Sequence, residues 1–477
     1  MRASSSQNRV EEKTRHILSE ILGSSPKTIG VRLWDGTAWP DERPHTAVLA
    51  LKHPEALGRM FFPGTEVGLA EAYLHDDFDI EGDIEAAFEL ADFLLTRLGD
   101  WKKKLKIAGL LVALPDRNGT STIGRAAKRL LPQIRGKRHS PRRVRRAVTF
   151  HYDISNDYYR LWLDRRMVYS CAYFMSKEDE IDAAQARKLD YLCRKLRLRP
   201  GQRLLDIGCG WGALVVHAAK HFGVRADGIT LSEPQAEWAR AKIAEAGLTK
   251  EAKIDVRDYR EIGANGSELY DAIVSVGMAE HVGRERLPDY FNIAHRALKP
   301  GSVFLNQAIG EGVVPRPDNR NGSFIERYVF PDGDIPPLPI MLRAAESAGF
   351  EIRDVENLRE HYALTLRHWL GRLERNHKQA LSFVDEMTYR VWRLYLAGSM
   401  HGFGQGHLAV YQTLLAKLNP SGHTNLSLTR HDWYAKDVSE EAEQRSENVT
   451  QTSGLRARLG ASETLTPLFP SEFRISR

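Results

Sequence analysis

The stretch that most constrains this chain is Arg203 to Gly212, RLLDIGCGWG, an apolar strand running into glycines at three alternate positions. Glycine tolerates positive φ and carries no Cβ. A strand ending in Asp206, Gly208, Gly210 and Gly212 therefore makes a turn whose backbone can touch a ligand. The next segment, Ala213 to His221, reads as a helix with its N-terminus aimed at the same spot. Alone, such a turn is a weak signal, because structural turns without a ligand share it. Here the spacing is G-x-G-x-G with a carboxylate before the first glycine. That suits S-adenosylmethionine (SAM) better than a dinucleotide: SAM has no pyrophosphate for a helix dipole, but needs an acceptor for its ammonium and room for a sulfonium.

The surrounding pattern alternates strand and helix: strand 226–231, helix 233–246, strands 252–257 and 270–277, helix 286–298 and strand 302–309. Strands separated by helix-length segments predict an α/β fold, a doubly wound, mostly parallel sheet with ligands at its carboxyl edge. Long segments at 361–373 and 386–416 read as helices that cover this edge. With 477 residues the chain exceeds one core. We divide it into a flexible N-terminus (1–24), a small α+β domain (25–115), a basic linker (116–146), the sheet-bearing domain (147–435) and a polar tail (436–477). Within the small domain, 29–51 reads as short antiparallel strands, 59–79 as strand-rich and 83–98 as helical; its plain role is packing or homodimer formation.

Three cysteines, at 171, 193 and 209, have no metal-like spacing and predict a reduced cytoplasmic protein. No apolar run approaches the roughly 18 residues of a membrane span. The net charge of +6 is modest, but ten Lys or Arg and no acid fall between Arg125 and Arg146. Such a run is either a solvated linker or an attraction to anionic bilayer, at about 1 kcal/mol per basic residue. Nucleic acid is not expected, since the aromatic interleaving of single-strand binders is missing.

Eight strings in order, HYDISNDYY, YSCAYF, LDIGCGWG, GITLSEPQ, RDYRE, VSVGMAEHVG, RALKPG and YVFPDG, resemble the cyclopropane-fatty-acyl-phospholipid synthase family, relatives of the mycolic acid cyclopropane synthases. The resemblance implies the class I SAM-dependent methyltransferase fold and transfer of a methyl carbon to the cis double bond of an acyl chain, followed by ring closure. It places Tyr169, Ser170 and the stretch from Leu204 to Gly212 around the methionine part of SAM, Thr230 and Gln235 at the ribose, and Tyr259, beside Asp258, at adenine. Ser232 has a second reading as a helix N-cap. The partner implied is unsaturated phospholipid, met by an enzyme peripheral to the inner face of an anionic membrane.

In this family the base is a bicarbonate ion, whose holders map to Cys171, Glu280, Ile309 and Tyr362, with a histidine expected where this chain has Gln307. An amide donates and accepts hydrogen bonds but carries no proton through neutral pH. Ala279 stands where the family commonly has Phe, implying a wider or reshaped pocket. Tyr158, Tyr159, Tyr173, Phe174 and Tyr362 are candidates to face a carbocation, at up to about 2 kcal/mol each when desolvated; Tyr158 and Tyr159 also read as packing. His281 beside Glu280 falls short of a metal site. The alternatives are methyl or methylene branching without ring closure, methylation of a small molecule, and a lipid-binding module that has lost catalysis.

Overall fold

The computed structural model describes residues 2–23, 29–41, 43–61, 65–97, 106–107, 109–111, 154–263, 269–315, 323–331 and 333–434. The basic segment and the polar tail lie outside the described residues. Residues 1–426 cluster as one compact unit. In the remaining unit the described part holds a single 3₁₀ turn, His431–Trp433.

Two sheets organise the first unit. The smaller contains β1 (Ile29–Arg32), β2 (Ala38–Trp39), β3 (Ala47–Leu51) and β4 (Phe78–Gly82), in the order β2-β1-β3-β4. β1 pairs antiparallel with β2, and β3 with β4, but β1 and β3 are parallel. The strand-rich expectation for 59–79 fails over most of its length: helices Ala56–Phe61 and Glu66–Leu74 fill it before β4. Thr65 starts the second by accepting the Gly68 N–H, a capping signal that outweighs the local apolar alternation.

The larger sheet contains β5 (Arg203–Ile207), β6 (Arg225–Thr230), β7 (Ala252–Val256), β8 (Tyr270–Val276), β9 (Leu298–Glu311), β10 (Glu351–Asn357) and β11 (Leu408–Ala416), in the order β10-β11-β9-β8-β5-β6-β7. From β9 to β7 neighbouring strands are parallel, and their inner residues are buried because helices cover both faces. Chain order reverses at β5, which opens a crevice at the carboxyl ends of β5 and β8. The expected helix over 386–416 is corrected: it ends at Gly404, and Gly406 at φ 78° turns the chain into β11, antiparallel to β9 and β10.

One apolar core joins the small sheet to the large one, with Val31, Leu49 and Leu57 in the same cluster as Trp162, Tyr362 and Trp392. Helix Glu386–Gly404 is pinned to the small sheet by two buried arginines. Arg390 donates to the Tyr73 carbonyl at 2.8 Å and to Asp76 at 2.8 Å. Arg393 donates to the Tyr73 hydroxyl at 2.9 Å, the Ile80 carbonyl at 3.1 Å and Glu374 at 2.7 Å.

Candidate active site

The crevice at β5 is a polar cleft of about 140 Å³. Its floor is the glycine turn. Gly208 and Gly210 hold φ of 82° and 52°, and a Cβ on Gly210 would meet nothing within 4 Å, so the backbone is open to a ligand there. Gly212 differs: a Cβ would lie 2.7 Å from that of Ala239, so this glycine serves helix packing. Asp206 is buried at the end of β5, and burial pushes it up to about 7, with Lys188 pulling the other way. A cationic group entering the cleft would restore its charge, which fits the ammonium of SAM.

The opposite wall is held by helix Ile181–Lys195. Lys188 donates to the Ser170 hydroxyl at 2.9 Å, and Gln185 to the Ser170 carbonyl at 2.8 Å. Burial pushes Lys188 down to about 8, against the attraction of Asp164. Thr230 donates to the Gln235 side-chain oxygen at 3.0 Å, which leaves the Gln235 amide nitrogen to donate. Ser232 is the cap of helix Glu233–Glu245. Tyr169, Ser170, Asp206, Gly208, Gly210, Thr230, Gln235 and Tyr259 line the cleft together. Leu204 does not, being buried within β5; Gly212 packs on Ala239, and Asp258 pairs with Arg260. Arg257 and Met278 line the cleft unforeseen.

Beside the cleft lies an apolar cavity of about 1180 Å³. The two meet at Tyr169, Ser170, Gly277 and His281, which line both. Cys171, Glu280, Gln307, Ile309 and Tyr362 all line the larger one near this junction. Glu280 accepts the Ile309 N–H on Oε1 at 2.7 Å, while its buried Oε2 has no hydrogen-bond partner among the described residues. Burial pushes this carboxyl up to about 7, with the Ile309 N–H opposing. It is thus poised to take or give a proton near neutrality. Burial pushes the Cys171 thiol well up, so it stays protonated.

Gln307 sits in a relay that no local pattern displays. Lys195, 1% exposed, pairs with Glu356 and donates to the Gln412 Oε1 at 2.9 Å. An ammonium only donates. The Gln412 oxygen therefore faces Lys195, and its nitrogen donates to the Gln307 Oε1 at 2.9 Å. Gln307 is left with its NH₂ group to offer elsewhere, two residues from Ile309 on the same face of β9. For bicarbonate the holder set is incomplete, since Gln307 replaces the implied histidine and Glu280 already engages the Ile309 N–H.

Several expectations are corrected. Ala279 does not widen the cavity: it packs among Ile207, Tyr290 and Phe304 in the core of the large sheet. For Tyr158 and Tyr159 the packing reading holds: both are fully buried in an aromatic cluster with Trp162 and Trp392 and line neither space. Tyr173 stacks on His361 and Phe174 on His368, so of the five aromatic candidates Tyr362 alone reaches the cavity. Tyr395, whose hydroxyl accepts from that of Tyr169 at 3.3 Å, is a lining residue that sequence reading missed. Among the described residues no group of three or more His, Cys, Asp or Glu is gathered as a metal site.

A glycine turn, a crevice at the strand reversal and a buried carboxylate in the first strand define a class I SAM-dependent methyltransferase. Residues 139–413 match the family described as mycolic acid cyclopropane synthetase, and the chain belongs to that family. It is 37% identical over 419 residues to a probable fatty acid methyltransferase of Pseudomonas putida, covering 87% of this chain and 99% of that one. It is 32% identical over 402 residues to the tuberculostearic acid methyltransferase UfaA1 of Mycobacterium tuberculosis, covering 81% and 87%. A crystal structure of the mycolic acid cyclopropane synthase CmaA1 complexed with SAH and CTAB superposes with a TM-score of 0.53 at 34% identity, covering 57% of this chain and 98% of that one. The protein is a SAM-dependent methyltransferase of the cyclopropane synthase type, acting on fatty acids or lipids.

Proposed function

We propose that the protein methylates the cis double bond of phospholipid acyl chains and closes a cyclopropane ring. The observation that carries this reading is an apolar cavity of about 1180 Å³ meeting the cofactor cleft at Tyr169, Ser170, Gly277 and His281, with the buried Glu280 beside that opening. SAM supplies an electrophilic methyl carbon at the cleft. The cavity holds the alkene dry and oriented, conditions a weak nucleophile requires. Methyl addition leaves a carbocation on the chain, and the rings of Tyr169, Tyr362 and Tyr395 line the space that holds it. Glu280 Oε2 takes a proton from the added methyl group, and the released C–H pair closes the ring onto the cationic carbon.

A bilayer lipid as substrate is supported by the cavity's exposed rim, where Val314 is 40% exposed. No helix among the described residues is long and apolar enough to cross a membrane. The reading is tested by incubating the protein with methyl-labelled SAM and vesicles of cis-unsaturated phospholipid. Label in the acyl chains supports it; none overturns it.

A second reading, methylene or methyl branching without a ring, is favoured by Gln307 in place of the implied histidine. The names of the two long relatives, both fatty acid methyltransferases, support it too. Gas chromatography with mass spectrometry of the labelled fatty acids separates the two products.

A further inference from the structure

The apolar cavity extends well beyond Glu280. Its wall continues along one face of helix Glu386–Gly404, through Leu394, Tyr395, Gly398, His401 and Gly402, into the interior of the small N-terminal sheet. The spacing of these five residues is that of one helical face. Glycines at 398 and 402 let neighbouring side chains pack closely on the helix: a Cβ on Gly398 would come within 3.1 Å of Phe88, and one on Gly402 within 3.2 Å of Leu408.

Beyond the helix the lining is Leu18, Val31, Leu49, Leu51 and Leu57, none more than 8% exposed; Leu18 lies on helix Arg2–Leu22, whose buried Ile17, Leu18, Ile21 and Leu22 correct the expected flexible N-terminus. Asp92 and His401 pair at 2.6 Å, with the Asp92 side chain 46% exposed, and Thr65 and Glu66 also line the space. Toward the other end the lining includes Arg284, whose side chain is 48% exposed, Glu326 and Val314. The space thus runs from a polar, exposed rim past Glu280 to a mostly apolar end within the N-terminal domain, and Arg390 and Arg393 hold that domain in place.

We propose that the N-terminal domain is the receiving end of the acyl site. The methyl-terminal part of the chain, beyond the double bond, lies among Leu18, Val31, Leu49, Leu51 and Leu57, and the headgroup stays at the exposed rim. The depth of this half then selects the distance from double bond to methyl end. The side chains Leu18, Val31, Leu49, Leu51 and Leu57 offer a headgroup no polar partner to exchange for water, whereas a hydrocarbon tail gains by burial among them. This inference rests on the lipid reading above.

The test uses the full chain with vesicles of cis-unsaturated phospholipid bearing a photoreactive diazirine at the methyl end of the acyl chain, with methylation of the same vesicles measured in parallel. Peptide mass spectrometry is expected to find cross-links on segments 18–22, 31–57 and 78–90. Methylated vesicles with cross-links confined to residues after 154 overturn the inference and leave the lipid reading standing; vesicles that are not methylated overturn both. A second measurement uses Leu49→Phe and Leu51→Phe, checked for an unchanged melting profile and SAM affinity. The preference in kcat/KM for chains shorter beyond the double bond is expected to rise about tenfold, the scale of discrimination a pocket achieves per methylene. An unchanged preference overturns the ruler.

Discussion

The cofactor cleft takes about half of its lining from the ends of three neighbouring strands, β5, β6 and β8, and the turns after them, whereas the apolar cavity draws its wall from Leu18 to Val410. The first is short-range and polar and depends on backbone conformation. The second is long-range and apolar and depends on how two sheets share one core. They touch at four residues, so chemistry is possible only where a local motif and a global packing arrangement coincide. Changes on each side of that boundary should fail in different ways.

Glu280→Gln should have the largest effect. Its partners lie on the cavity side, so turnover on vesicles should fall by roughly 10² to 10⁴, the range of a positioned base, while SAM affinity measured by titration calorimetry stays within about twofold. In the parent enzyme kcat should rise with pH through about 7, as Glu280 loses its proton, and then level off. A flat profile across this range would show that another group removes the proton.

Arg393→Met comes next and strikes the packing that encloses the cavity. Removing one partner of a buried ionic network costs about 3–5 kcal/mol, here trimmed toward the lower figure because Glu374 is one-third exposed. Denaturant unfolding should report the loss. Where the variant stays folded, lipid turnover should drop far more than SAM binding does. Equal losses would mean that the two spaces are not separable.

Asp206→Asn is the converse test, confined to the cleft. Loss of the charge should weaken SAM binding by about 30-fold, near 2 kcal/mol. Tail cross-linking should be unaffected. A related effect appears in the ligand-free protein. Asp206 and Glu280 are both raised to about 7 from 3.8 and 4.5, so their neutral forms fit the fold better. The stability they contribute is present below about pH 4 and is lost as pH rises to 7. The melting temperature should therefore carry a component falling between about pH 4 and 7, smaller in each isosteric amide variant. SAM should offset the Asp206 part.

The same division governs what the sequence discloses. The glycine turn is legible because its glycines, its carboxylate and the start of its helix lie within about ten residues; Thr230 and Gln235 come only through the family resemblance. Glu280 is recognised through its motif, but the N–H that holds it belongs to Ile309, 29 residues away. Leu49 and Val31 look like ordinary core in any pattern. That they face a cavity follows only from the docking of helix Glu386–Gly404. Tyr173 and Phe174 mislead for the same reason: aromatic density marks burial, and tertiary packing decides whether a ring meets a ligand or a histidine. The relay behind Gln307 spans 105 and then 217 positions of sequence.

That relay gives the smallest and sharpest test. Lys195 fixes the polarity of Gln412, and Gln412 fixes that of Gln307, so the cavity beside Glu280 meets an amide donor. Gln412→Leu should remove two hydrogen bonds of about 1 kcal/mol each, from Lys195 and to Gln307, and lower turnover about fivefold, with little change in pH profile, since Gln307 can still turn its donor inward. Gln412→Glu should do more. A carboxylate there still accepts from Lys195 but cannot donate to Gln307, which must reverse and give its own NH₂ to the new acceptor. Its carbonyl oxygen would then face the Glu280 side and disfavour the ionised carboxylate, raising the pH at which turnover reaches its plateau. An upward shift in Gln412→Glu but not in Gln412→Leu would establish Gln307 as a positioning residue for the base. Identical profiles in both would confine Gln307 to packing.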